Sequence, residues 1–154
     1  MKTLFKYLLL ILAFFLVKVT LGTIAGIVFI ALVLAIRIWD TRASFLTRIA
    51  THSYIVKGDK QKADLYYQKA YKTGVMPSGC KVVYSSFCLR EGKLEKAKQL
   101  LTQVINSRFS TQSEKISAKH NMAVVLWHEG NLEEGIEIIK EVHDKETSSN
   151  TYGT

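Results

Sequence analysis

Lys57-Gly58-Asp59-Lys60-Gln61-Lys62-Ala63, Glu91-Gly92-Lys93-Leu94-Glu95-Lys96-Ala97 and Glu129-Gly130-Asn131-Leu132-Glu133-Glu134-Gly135 are one phrase written three times. Their glycines recur after 34 and then 38 residues. Apolar residues at helical spacing flank each phrase on both sides. The glycine takes a left-handed cap that closes one helix, and Asp59, Lys93 or Asn131 opens the next. A recurring helix-turn-helix is therefore expected after about residue 44, and with it an all-α fold. Six helices are predicted, over 44–56, 60–73, 79–91, 94–106, 114–129 and 132–144. The four extra residues before the third phrase belong in the loop around Ser107 to Ser113, where Ser, Thr and Gln cluster.

The small residues sit in matching places: Thr51 with Ala63, Ser85 with Ala97, Ala123 with Gly135. Four residues after the second small residue come Tyr67, Leu101 and Ile139, and three further on Ala70, Val104 and Val142. Tyr54, Cys88 and Leu126 fill the corresponding apolar site of the first helices. The spacing of 34 and this turn resemble the tetratricopeptide repeat family over roughly Ser44 to Asp144. Departures are Thr47, Lys81 and Lys119 where that family has a bulky residue, and the absence of its closing proline, Pro77 being displaced. The resemblance implies an α-solenoid of about three helix pairs, 44–77, 78–111 and 116–149, with residues 145–154 a tail or the opening of a fourth repeat. Most of the quoted residues are core contacts at i, i+3, i+4 and i+7 spacing. Ile138 lies off the Leu132, Ile136, Ile139 stripe, as though another helix covers it. The chain thus reads as the front portion of a longer repeat protein, with a groove role or a partner for Ile138 as the alternatives.

Upstream of the repeats the composition changes. Of the first 39 residues 30 are hydrophobic, against roughly 38% of the remainder. An apolar run from Leu4 to Trp39 is about 54 Å long as one helix, too long for a hydrocarbon core of about 30 Å. Lys18 near its middle belongs at an interface, which cuts the run near residues 18–22. Residues 1–40 are read as a membrane anchor: a transmembrane helix or a helical hairpin. A hairpin puts Lys2 and Lys6 on the same side as Arg37, Arg42 and Arg48, as the positive-inside rule asks. A single span over 22–39 with an interfacial N-terminal helix, and a cleaved signal peptide, are the competing readings. Placement in the cell membrane with the repeat domain cytoplasmic follows from the hairpin. Unpaired Cys80 and Cys88 fit a reducing compartment.

Charge is graded along the chain. Residues 42–119 hold 15 basic and 5 acidic residues, residues 120–154 hold 2 and 7, within a net charge of +8. The basic half adjoins the anchor and suits an anionic lipid surface. Nucleic acid is not expected, because no helix carries a basic stripe and no stacking motif appears. Nor are catalysis, a metal or a cofactor: His128-Glu129 lacks the second His of a zinc helix, Leu132 standing in its place, and no phosphate loop exists. Cys80 and Cys88 lie about 12 Å apart along one helix, beyond disulfide reach.

What remains is binding. By the resemblance, a concave groove is lined by the first helix of each pair, with Arg48, His52, Val82, Val83, Ser86, Arg90, His120, Asn121, Val124 and His128 facing it. Such a basic and polar surface suits an acidic or carboxylate-ending peptide or a partner domain. Trp127 is expected to be partly buried. The expected role is a membrane-anchored interaction scaffold. The other reading is a small non-catalytic membrane subunit of a transport or secretion complex, assembled through its membrane helices, where Gly22 and Gly26 are spaced for helix contact.

Overall fold

The computed structural model describes the backbone of residues 2–151 and the side chains of residues 11–15, 19, 22, 24–39 and 41–144. The expected roles of Lys2, Lys6 and Lys18, and a repeat opening at residues 152–154, lie outside them. Among the described residues every regular element is an α-helix: α1 (Lys2–Ile55), α2 (Lys60–Lys72), α3 (Ser78–Arg90), α4 (Leu94–Ile105), α5 (Gln112–His128) and α6 (Leu132–Thr151). Two compact units divide the chain, Met1–Arg42 and Ala43–Thr154.

In the first unit Gly22 interrupts α1, with φ 82° and ψ 177°, backbone that side-chain-bearing residues rarely adopt. The break falls at the edge of the expected interval. Gly22 is not helical, whereas Gly26 lies within the helix that follows it. Beyond the break, Ile24–Ile55 is long and apolar enough to cross a membrane. Its large side chains, Ile27, Val28, Leu32 and Ile38 among them, are exposed rather than packed. At the end of the apolar run the Arg42 guanidinium stacks 3.6 Å from the centroid of Trp39.

The helix does not restart near residue 44 as the sequence suggested. No glycine, proline or cap lies between 37 and 55, and threonine hydroxyls donate back to carbonyls one turn earlier. Thr41 bonds the Arg37 carbonyl, Thr47 that of Ala43, and Thr51 that of Thr47, each at 2.9 Å. The potential helix-breakers are thus satisfied inside the helix.

In the second unit the three phrase glycines all have positive φ: 65° at Gly58, 71° at Gly92 and 82° at Gly130. After each, the next amide reaches back across the turn. Asp59 donates to the Ser53 carbonyl, Lys93 to Cys88 and Asn131 to Leu126, at 3.0, 2.8 and 2.9 Å. At Lys93 and Asn131 this is the 6→1 bond of a Schellman ending, and Asp59 reaches one residue further back; each satisfies a carbonyl the helix leaves orphaned. Helix α3 packs on α4, α5 on α6, α4 on α5, and α3 directly on α5.

The small pairs let the backbones approach. A methyl group placed on Gly135 would meet the Ala123 carbonyl oxygen at 3.3 Å. Around these pairs lies the core: Ala63, Tyr67, Ala70, Tyr84, Phe87, Cys88, Ala97, Leu100, Leu101, Val104, Val125 and Leu126 are buried. Tyr67 links three helices. Its ring stacks on Tyr84 at 4.9 Å and meets Phe87 at 5.0 Å, while its hydroxyl bonds Thr51 at 2.9 Å.

The extra residues of the third repeat are not in the loop. Helix α5 has 17 residues where α3 has 13. A capping box starts α5 early: Glu114 N–H donates to the Thr111 hydroxyl at 3.2 Å, and the Thr111 amide donates to the Glu114 carboxylate at 2.8 Å. Four residues are about one turn, so the added length keeps the apolar face in phase. Helix α6 also runs past its expected end at 144, through Thr151.

Candidate functional site

Eight of the ten residues read as a groove divide among three places. Arg48, His52 and Val83 line a cleft of about 560 Å³ between α3 and the part of α1 beyond Ala43, with Thr47, Thr51, Ile55, Val56 and Cys80. Arg48 and His52 are exposed over the apolar wall of Ile55, Val56 and Val83.

Ser86 and Asn121 form the second place. Asn121 donates from Nδ2 to the Ser86 hydroxyl at 3.0 Å, and Ser86 donates to the Val82 carbonyl at 3.1 Å. These two groove residues therefore seam α3 to α5, and part of their bonding capacity is used within the fold. Val82 is half-buried and packs on the core.

The third place is a cleft of about 370 Å³ between α5 and α6, which takes His120 and Val124 together with Ala123, Trp127, Leu132, Gly135, Ile136, Ile139 and Lys140. Sequence reading placed only His120 and Val124 of these in the groove. Trp127 is 70% exposed, not partly buried as expected. Arg90 and His128, at the C-terminal ends of α3 and α5, are exposed and line neither cleft.

The other polar groups serve the fold. Glu91, which closes α3, accepts from the Tyr54 hydroxyl at 3.1 Å and pairs with Lys60 at 3.0 Å. The Lys60 hydrogen bond holds the Glu91 carboxyl below the usual glutamate range. Glu129, the counterpart of Glu91 one repeat later, pairs with Lys98 of α4 at 2.7 Å, although Lys98 matches Asp64 and not Lys60. Such exposed pairs stabilise little, because water screens them. Glu141 of the acidic α6 face pairs with Lys119.

Cys88 is fully buried and Cys80 partly so. Burial pushes the Cys88 thiol up to about 11, which leaves roughly one part in a thousand as thiolate at pH 8. Titration of the native protein with a thiol-exchange reagent at pH 8 should therefore modify Cys80 first. Cys88 should follow only at the rate of unfolding, and equal rates would contradict this packing. Among the described residues no group of His, Cys, Asp or Glu is arranged to hold a metal ion.

Comparison with protein-family models, with curated proteins and with solved structures finds no match to this chain.

Proposed function

We propose that the protein is a membrane-anchored scaffold whose three helix pairs stack as a short tetratricopeptide-like solenoid, presenting α1, α3 and α5 to a protein partner without catalysis. The observation that carries this reading is the cleft between α1 and α3, where two exposed basic side chains, Arg48 and His52, stand over an apolar wall. That combination suits an extended segment with acidic side chains or a free carboxylate, the cation fixing its register and the wall burying a side chain. Direct packing of α3 on α5, sealed by Ser86 and Asn121, supports the first helices forming one surface. The anchor is the apolar helix beyond Gly22. In this proposal it sits in the cell membrane, with the repeat unit on the cytoplasmic side and its basic half toward anionic lipid.

A photo-crosslinking residue at Val83 tests the cleft in the full chain in its native membrane. A discrete adduct is expected there and not at the exposed Gln68 of α2. Changing Arg48 and His52 together to Ala should cut the yield severalfold. Adducts that form equally at both positions, or that survive the double change, would remove the cleft from consideration.

A further inference from the structure

One set of matching positions in the three helix pairs differs sharply in exposure. Tyr67 on α2 is 2% exposed and Leu101 on α4 is 0% exposed, whereas Ile139, their counterpart on α6, is 43% exposed. Tyr67 and Leu101 are shielded because the next helix lies over them: α3 stacks Tyr84 and Phe87 on Tyr67, and α5 packs on α4. Nothing described lies over α6. Its uncovered face continues into Leu132 and Ile136, 53% and 54% exposed, and across to Val124 and Trp127 of α5. An apolar face of this extent left in water is a binding surface. Ile138, which the sequence singled out as uncovered, points the other way and packs on the core.

We infer that this cleft is a second docking site, which takes one amphipathic helix from another protein. The internal comparison decides the shape of the occupant, since both equivalent faces earlier in the chain are covered by a helix. It also decides its direction. The covering helices α3 and α5 each follow the covered one through a short connection and run antiparallel to it, so the occupant runs antiparallel to α6 and beside α5. Among the described residues α6 continues for 12 residues beyond Ile139, about 18 Å, and none turns back onto the site.

Charge then specifies the ends. His120 and Lys140 stand at the end of the cleft away from the α5–α6 turn, and Glu133 adjoins Leu132 at the turn end. The occupant's first turn lies by His120 and Lys140 and its last turn by Glu133. Acidic residues in the first turn and basic ones in the last complement the rim, and the same order suits the occupant's own helix dipole. The site is separate from the α1–α3 cleft and stands whether or not that cleft holds a partner.

The test uses the full chain in lipid nanodiscs with Trp39→Phe, so that Trp127 is the reporter. The probe is a synthetic helical peptide with a leucine and alanine face, glutamates in its first turn and lysines in its last. Its binding should shift Trp127 emission to the blue. Ile136→Asp and, separately, Leu132→Asp should each weaken it by about tenfold or more, with helicity unchanged because both positions are exposed. A peptide of the same composition with reversed charge order should bind several times more weakly. No emission change at millimolar peptide, binding that ignores both substitutions, or concentration-dependent self-association that already covers Trp127 would each overturn the inference, the last by making a second copy the occupant.

Discussion

Leu101→Ala should destabilise the repeat unit by about 2–5 kcal/mol, and Ile139→Ala, the same position one repeat later, by less than about 1 kcal/mol. The chemistry of the two changes is nearly identical, so the difference isolates the neighbouring helix. Leu101 is fully enclosed between α3, α4 and α5 and leaves a cavity when truncated. Ile139 already faces water over much of its surface, and what remains can relax into solvent. For a unit of this size the first change should lower Tm by on the order of 10 °C or more and the second by a few degrees. Thermal denaturation of the full chain followed by circular dichroism separates them, the anchor helix contributing a constant signal in lipid. Equal costs would mean that α6 is covered after all, and would remove the ground for the second docking site.

The turns were legible because glycine in the left-handed region leaves a mark in sequence that no other residue mimics. Gly58, Gly92 and Gly130 placed the turns, and the small pair Ala123–Gly135 named a close approach. The start of α5 was also written, in Thr111-Gln112-Ser113-Glu114. A polar cluster was read as loop where its spacing was that of a capping box. Periodicity could not say which face of α6 is buried, since Ile138 and Val142 lie on one side and Leu132, Ile136 and Ile139 on another, both apolar. Only the presence or absence of a packed neighbour distinguishes them, and that is tertiary information. The groove was half legible for a related reason. The resemblance placed Ser86 and Asn121 in the groove facing a partner, whereas across α3 and α5 they bond each other. The continuity of α1 through residue 44 was not legible because a change of composition there resembles a helix boundary.

Arginine at Val28 and Leu32 should release the protein from membranes. The two positions lie one turn apart in the apolar stretch that follows Gly22, and both side chains are exposed. Each arginine near the middle of a span costs about 2.5–3.5 kcal/mol on insertion scales, to which the lost aliphatic contribution of roughly 0.5 kcal/mol is added. Together the changes therefore cost about 6–8 kcal/mol, enough to reverse the insertion of one helix of this length. Extraction of membranes at alkaline pH, with the double variant compared against Gln61→Arg in the second unit, reads the outcome. The double variant should move to the supernatant while Gln61→Arg stays in the pellet. Retention of both would show that the hold on the bilayer lies elsewhere, in the apolar residues before Gly22, and that the exposed face of Ile24 to Trp39 is covered by protein instead of lipid. In that case the membrane-subunit reading gains over the scaffold, because a polar substitution tolerated in an apolar helix implies a protein neighbour able to satisfy it.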